Sequence, residues 1–195
     1  DPNIPSLDIV KLHSRSLGRK ELEQFDAVIF LGGCTGRRDC HNLSSDKRHQ
    51  ENVQEAVDLV KKMSPNQLFL TLSTSAVSEG RENAKESDPI HEHLLDEYSI
   101  SMYRRELALE NLSKVSPEST PRIVLLRVGT NVGVSPGQRT DLLVPSLFKS
   151  AYTGGVLRVQ GCDTIRPFLW LHDLARSIDA ILLHGGQMER FRVWN

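Results

Sequence analysis

Apolar residues follow two patterns that alternate along the chain. Short continuous apolar runs, such as residues 27–31 and 68–72, are bounded by polar residues or glycine, and such runs are typical of strands buried on both faces of a parallel sheet. Between them, residues such as Val53, Val57 and Val60 recur at helical spacing, as in an amphipathic helix. This alternation predicts an α/β fold with a doubly wound parallel sheet.

The positions of the elements follow from these patterns and from the turn residues between them. The predicted strands are 8–12, 27–31, 68–72, 123–128, 156–159 and 191–194. The predicted helices are 49–63, 98–115, 142–151 and 173–183, with a short helix or turn at 16–25. We expect loops at 37–48, 78–89 and 116–121, and a turn at 133–137.

Small residues follow three of the predicted strands. Sheets of this type bind ligands beyond the carboxyl ends of their strands. Gly32, Thr74 and Thr130 each come shortly after a predicted strand, so we expect them at one edge of the sheet, beside a cleft. Residues 78–89 are charged and rich in turn residues, which favours a surface loop over that cleft.

Composition and charge argue against several classes of partner. The 195 residues carry 24 basic and 25 acidic side chains, a formal net charge of -1, which gives no electrostatic reason to expect a nucleic-acid or membrane partner. No apolar run approaches the length of a membrane span, and we expect a cytoplasmic protein. The cysteines Cys34, Cys40 and Cys162 form no C-x-x-C pair, so we expect free thiols and no metal site.

Two short motifs carry the candidate chemistry. Residues 72–77, LSTSAV, end an apolar run in small hydroxyl residues, and residues 98–106, YSISMYRRE, open a predicted helix. In this order and with the flanking pattern, they resemble the extended short-chain dehydrogenase/reductase family, whose members include nucleotide-sugar epimerases and dehydratases. The resemblance implies that Thr74 is the family's Ser or Thr, that Tyr98 is the tyrosine of its Tyr-x-x-x-Lys motif, and that Met102 occupies the lysine position.

The resemblance extends over nearly the whole chain. Further matching segments are residues 25–36, 51–53, 126–133, 141–144, 161, 166–168 and 173–175. On the cofactor side, the resemblance implies that NAD or NADP is contacted by Gly32, Gly33, Asn52 and Tyr98. On the substrate side, it implies that a nucleotide sugar is contacted by Thr74, Thr130, Val144 and Arg166, the last of these at the diphosphate.

The resemblance also implies a Rossmann-type fold in two parts. Residues 1–130 are expected to form an incomplete dinucleotide-binding domain, and residues 131–195 part of a small substrate-binding subdomain interleaved with the last sheet elements. The N-terminal βαβ portion is expected before Asp1, together with the family's Gly-x-x-Gly-x-x-Gly turn, whose backbone amides cradle the cofactor pyrophosphate. The family often dimerises through the helices that correspond to 49–63 and 98–115, so we expect a homodimer.

Met102 leaves two functional hypotheses open. The family's lysine lowers the pKa of the tyrosine, which is about 10 without a nearby cation, and methionine supplies neither charge nor donor. We expect Arg104 and Arg105 on other helical faces than Met102. The first hypothesis is an NAD(P)-dependent epimerase or dehydratase, in which Tyr98 is acid and base beside Thr74. The second is a catalytically impaired relative that serves as a nucleotide or nucleotide-sugar binding or structural partner.

Overall fold

The main sheet of the protein is parallel. The computed structural model describes residues 13–79, 81, 83–137, 139–159 and 165–195. The four-stranded sheet has the order β1-β2-β3-β6, and its strands are β1 (Ala27–Phe30), β2 (Leu68–Thr74), β3 (Arg122–Val128) and β6 (Phe191–Trp194). Neighbouring strands pair in parallel, which confirms the α/β prediction and the strands predicted at these places. The strand predicted at 8–12 lies outside the described residues.

Helices connect these strands. The described α-helices are α1 (Arg19–Leu22), α2 (Arg37–Asn42), α3 (Ser45–His49), α4 (Glu55–Lys62), α5 (Glu97–Val115), α6 (Leu143–Gly154) and α7 (Leu171–His184). A π-helical turn at Gln50–Gln54 joins α3 to α4, and short 3₁₀ turns occupy Ser14–Ser16, Ser75–Ser78, Glu92–Leu94 and Gly185–Gln187. The helices predicted from periodicity are therefore confirmed. No helix within the described residues is long and apolar enough to cross a membrane.

A second, two-stranded sheet follows β3 in the chain. β4 (Thr130–Val132) pairs in parallel with β5 (Phe168–Trp170). Sequence analysis missed both strands because each has three residues and neither is a continuous buried run. The strand predicted at 156–159 is wrong, because these residues are exposed and pair with no strand of the described chain. An apolar, β-branched segment forms a strand only where a neighbour packs against it.

Apolar layers cover both faces of the main sheet. Successive residues of a strand point to opposite faces. On one face, the fully buried Phe69 of β2 packs with Val60 of α4 and Leu109 of α5. On the other face, Leu70 packs with Leu174 of α7. This burial on both faces explains why the central strands are continuous apolar runs in the sequence.

Residues 37–48 contain two helical segments, so the loop predicted there is wrong. α2 follows Gly36, whose φ of +106° favours glycine. α3 is capped by Ser44, whose hydroxyl accepts a hydrogen bond from the backbone N–H of Lys47 at 3.3 Å. Cys40 is the one residue that α2 buries. A helix so polar shows no apolar periodicity from which it could have been predicted.

The side of helix α5 that is buried against the sheet is largely polar. Asp96 caps the helix by accepting a hydrogen bond from the backbone N–H of Ser99 at 2.7 Å. The buried residues of α5 lie along one side of the helix, and they are Ser99, Ser101, Met102, Arg105, Glu106, Leu109 and Ser113. Buried polar groups need hydrogen-bond partners. Ser101, Arg105 and Glu106 of α5 find them on the strands, on the π-helical turn and within α5 itself. These bonds hold the first turns of α5 at the carboxyl edge of β2.

Candidate functional site

Thr74 and Tyr98 meet at the carboxyl edge of the sheet. Thr74 is the last residue of β2, and Tyr98 lies in the first turn of α5. The Thr74 hydroxyl accepts a hydrogen bond from the backbone N–H of Ala76 at 3.2 Å, and its own proton is still available for donation. The phenol of Tyr98 lies beside this hydroxyl. The structure therefore brings together the two residues that the sequence motifs paired.

The surroundings of Tyr98 act on its pKa in opposite directions. Burial is the largest influence, and it raises the pKa of the phenol above the ordinary value of 10.0. The Thr74 hydroxyl and the charge of Arg105 lower this pKa, whereas Cys40 and Asp96 raise it. A phenol of this kind is neutral at pH 7 and can donate a proton. To accept one, it depends on the cation that faces it.

Asn52 links the loop after β1 to the start of α5. It is fully buried in the π-helical turn. Its side-chain carbonyl accepts a hydrogen bond from the backbone N–H of Cys34 at 2.6 Å, and its amide donates to Ser101 Oγ at 2.8 Å. The Ser101 hydroxyl donates to the backbone carbonyl of Tyr98 at 2.7 Å. These three bonds fix the strand-end loop relative to Tyr98, at a π-helical turn of the kind that often accompanies functional sites.

Gly33 leaves no room for a side chain. Its φ is +121°, and a Cβ atom there would lie 2.5 Å from Asn52 Oδ1 and 2.7 Å from Arg105 Nη2. Any other residue would strain the backbone and displace both groups. Gly32 and Gly33 therefore present bare backbone just after β1, where a ligand can approach closely.

Arg105 is a buried cation beneath this loop. Its side chain is 2% exposed. The guanidinium donates to the backbone carbonyls of Gly32 at 3.1 Å and Leu72 at 3.2 Å. It also donates to Thr71 Oγ1 at 3.2 Å and to the carbonyl of Asn52. Burial lowers the pKa of Arg105 to about 10, so the group keeps its charge at neutral pH.

The expectation that Arg105 lies on another helical face than Met102 is wrong. Residues three apart on an α-helix are neighbours on one face, and Tyr98, Met102 and Arg105 follow one another at spacings of four and three. Met102 and Arg105 are both buried. Arg104 is exposed, as expected, and its Nη2 pairs with Glu92 Oε2 at 3.5 Å. The spacing alone could have identified Arg105, but its carbonyl partners come from distant segments.

The residues predicted on the substrate side lie on the second sheet and on α6. Thr130 opens β4, and its backbone N–H donates to the carbonyl of Pro167 at 2.9 Å. This bond places Arg166, which is exposed, in the segment that runs beside the end of β3. Val144 lies in the first turn of α6 and is 42% exposed. Thr130 and Arg166 are thus close in the fold, and Val144 belongs to a separate element.

Sequence analysis missed a buried ion pair behind Thr74. Arg127 of β3 donates from Nη2 to Glu106 Oε2 at 2.7 Å and from Nε to both carboxylate oxygens of Glu106 at 3.1 and 3.2 Å. The Ser73 hydroxyl of β2 also donates to Glu106. This pair joins α5 to two strands of the sheet. Its only sequence signal is that Glu106 follows Met102 by four positions on the same helical face.

The sequence as a whole was compared with known families. A sequence model described as the NAD dependent epimerase/dehydratase family matches residues 6–195. The chain belongs to this family. This confirms the epimerase/dehydratase branch to which the motifs pointed. No curated protein sequence matches the chain.

Solved structures share the family's fold. TunA, an NAD dependent NDP-hexosamine 5,6-dehydratase involved in tunicamycin biosynthesis, is 19% identical with a TM-score of 0.75, covering 92% of this chain and 58% of TunA. DesIV, a dTDP-glucose 4,6-dehydratase from Streptomyces venezuelae, is 19% identical with a TM-score of 0.69, covering 84% of this chain and 50% of DesIV. UDP-glucuronic acid 4-epimerase from Bacillus cereus is 24% identical with a TM-score of 0.70, covering 88% of this chain and 54% of that enzyme. The chain thus spans 50 to 58% of the length of these proteins.

Two cysteines lie near the candidate site. Cys34 and Cys40 are free thiols, as predicted, and Cys162 lies outside the described residues. Burial raises the pKa of Cys40 to about 12, and its thiol donates to the carbonyl of Cys34 at 3.3 Å. Cys40 therefore stays protonated and packs in the interior like a small apolar side chain. Within the described residues, no cluster of three or more His, Cys, Asp or Glu side chains could hold a metal ion.

Alanine in place of Asn52 is expected to lower the free energy of unfolding by about 1–3 kcal/mol, because it removes the buried hydrogen bond to the Ser101 hydroxyl and leaves the part-buried N–H of Cys34 without its partner. Urea unfolding measures this loss. The matched control is Gln54→Ala in the same π-helical turn, where the lost bond to Asp58, 2.7 Å long, is only partly buried. The control should lose less than Asn52→Ala, and equal losses would contradict the structural role of Asn52.

Proposed function

We propose that the protein is an NAD(P)-dependent enzyme that acts on a nucleotide sugar. Tyr98 exchanges a proton with the sugar as acid and base, and Thr74 hydrogen-bonds the reacting oxygen. The observation that best supports this proposal is the Thr74 hydroxyl beside the Tyr98 phenol, at the carboxyl edge of a parallel sheet. Ligands of doubly wound sheets bind at that edge. Among the solved structures of similar fold, UDP-glucuronic acid 4-epimerase is in complex with UDP-glucuronic acid and NAD.

The strand ends fit one side of a dinucleotide. Gly32 and Gly33 have no side chains to cover the backbone after β1. Close to them, at the end of β1, the apolar side chains of Ile29 and Leu31 are 40% and 59% exposed. An apolar wall beside bare backbone suits a flat aromatic ring and its ribose. We assign these residues, with Tyr98, to holding NAD or NADP. When bound, the cofactor supplies a hydride acceptor and donor.

The side chains of the site move the proton and orient the sugar. The Tyr98 phenolate takes the proton of a sugar hydroxyl, and the neutral phenol returns one later in the reaction. Thr74 donates a hydrogen bond to the same sugar oxygen, since its own oxygen is already held by the backbone N–H of Ala76. Two hydrogen-bonding groups on one oxygen orient the reacting carbon, which lowers the entropic part of the barrier.

The substrate-side assignments belong to the same proposal. Arg166 binds the diphosphate, because an exposed guanidinium beside the strand ends can pair bidentately with phosphate oxygens. Thr130 and Val144 contact the sugar nucleotide, and Asn52 supports the cofactor side from beneath. The division into residues 1–130 and 131–195, the homodimer and the cytoplasmic location stay predictions.

The second candidate is a relative that binds the nucleotide sugar without turning it over. Met102 favours it, because the buried methionine places no charge at the lysine position. The two candidates differ in turnover and agree on binding, so one set of measurements separates them.

The test starts from small molecules that copurify with the full-length protein. We expect mass spectrometry of the released ligands to detect NAD or NADP. The protein is then titrated calorimetrically with UDP-, dTDP- and GDP-sugars, and any sugar that binds is followed by NMR for conversion. Conversion supports the enzyme, and binding without conversion supports the second candidate. If the protein binds neither a dinucleotide nor a nucleotide sugar, both candidate functions are contradicted.

A further inference from the structure

One face of α5 carries Tyr98, Met102 and Arg105 in successive turns. Arg105 follows Tyr98 by seven positions, which is close to two turns of an α-helix. From this face the Arg105 side chain reaches the strand ends, where it donates to the carbonyls of Gly32 at 3.1 Å and Leu72 at 3.2 Å. A cation therefore stands on the helical face of Tyr98, one turn beyond the lysine position.

Within the part of the chain that the structure describes, no carboxylate forms a hydrogen bond or ion pair with Arg105. Its hydrogen bonds go to three backbone carbonyls and to the Thr71 hydroxyl, all of them neutral acceptors. Its guanidinium carbon lies 5.3 Å from the centre of the Phe30 ring. Of the carboxylates that the structure describes, Glu55 is the one close enough to raise its pKa. Because Arg105 is buried, its charge is weakly screened and acts over a longer range than a surface charge.

Other titratable groups also face the phenol of Tyr98, and none of them replaces this charge. They are Cys40 of α2, Asp96 at the start of α5 and Arg139 after β4. The Cys40 thiol stays neutral, because burial raises its pKa to about 12. Arg139 is partly exposed and donates from Nε to Asp141 Oδ1 at 3.0 Å. Within the described residues, the cation that faces the phenol without a carboxylate partner is the buried guanidinium.

We propose that Arg105 is the positioning residue that supplies the positive charge for Tyr98, in place of a lysine at the Met102 position. This inference rests on the proposed function, in which Tyr98 is acid and base. Arg105 acts from beneath the strand-end loop, through the phenol, and does not contact the substrate. The charge favours the phenolate over the phenol, so position 102 can hold an apolar side chain while Tyr98 still accepts a proton.

Tyrosinate absorbance of the full-length protein, titrated with pH and without cofactor or substrate, tests this proposal. The titration of Tyr98→Phe is subtracted to isolate the phenol of Tyr98. Arg105→Met removes the charge, and we expect an upward shift in the pKa of Tyr98. Arg105→Lys keeps the charge but loses donors, so it should melt at a lower temperature and keep a pKa near that of the wild type. Arg104→Met, the neighbouring exposed arginine, is the matched control and should shift nothing.

A rescue variant sharpens the test. Met102→Lys combined with Arg105→Met restores a cation to the same helical face, and we expect it to return the pKa of Tyr98 toward the wild-type value. For variants that turn over a substrate, kcat at neutral pH should fall at least about tenfold in Arg105→Met, since one nearby charge shifts a pKa by about 1–3 units. The rescue variant should recover most of that loss.

Three results would overturn the proposal. The first is an unchanged pKa of Tyr98 in a folded Arg105→Met protein. The second is an equal upward shift in Arg105→Lys, which would give Arg105 a structural role alone. The third is loss of folding both in Arg105→Met and in Arg105→Gln, which keeps amide donors for the carbonyls. Because the titration needs neither cofactor nor sugar, its outcome is independent of whether the proposed enzymatic function survives.

Discussion

Phenylalanine in place of Tyr98 is expected to lower kcat by about 10²–10⁴-fold, because it removes the group that exchanges a proton with the sugar. The ring of Tyr98 is partly buried, and phenylalanine keeps that packing while losing only the hydroxyl. The affinity for the nucleotide sugar should therefore change little. The measurement is NMR of nucleotide-sugar conversion by the cofactor-loaded, full-length protein.

The matched control is Tyr103→Phe on the same helix. The Tyr103 phenol faces Glu92 and Glu106 instead of Thr74, so this variant should keep the wild-type kcat. Burial raises the pKa of Tyr98, and a step that needs its phenolate should therefore speed up as the pH rises from neutral. That pH dependence should vanish in Tyr98→Phe. A kcat within tenfold of wild type in Tyr98→Phe would mean that another group moves the proton.

Methionine in place of Arg127 is expected to lower the free energy of unfolding by about 3–5 kcal/mol, because it leaves the carboxylate of Glu106 buried without its counter-charge. The Glu106 side chain is only 4% exposed, so water cannot replace the lost partner. Urea unfolding, analysed by linear extrapolation, measures the loss. The same change should loosen the attachment of α5 to the sheet on which Thr74 ends.

Two variants test whether the loss comes from the unpaired charge. Arg104→Met breaks an exposed ion pair, in which the side chains of Arg104 and Glu92 are 55% and 44% exposed. This variant should lower the free energy of unfolding by about 1 kcal/mol or less. Removing both charges with Arg127→Met and Glu106→Leu should cost less than Arg127→Met alone. If Arg127→Met lowers the free energy of unfolding no more than the Arg104→Met control does, the buried pair adds little to stability.

Much of the fold could be predicted from local patterns in the sequence. β2 and β3 are predictable because strands buried on both faces must be apolar throughout. Phe69 and Leu70 of β2 are fully buried on opposite faces, and so are Ile123 and Val124 of β3. The pairing of Thr74 with Tyr98 was predicted from the resemblance to the family, and the position of Thr74 at the carboxyl end of a parallel strand agrees with it. α2 and the small sheet of β4 and β5 were missed, because short and polar elements leave no periodic signal.

The sequence by itself determined where the strands of the main sheet lie, and its resemblance to the family predicts that Thr74, Tyr98 and a methionine at position 102 belong to one site. Only the tertiary structure decided that Arg105 is buried beneath the loop after β1. Arg105 bonds to the carbonyl of Gly32, 73 positions away, and Glu106 bonds to Arg127, 21 positions away. A charged residue in a helical pattern is ordinarily expected in water. Whether it is buried, and what its charge does to a neighbouring phenol, depends on the segments that fold around it.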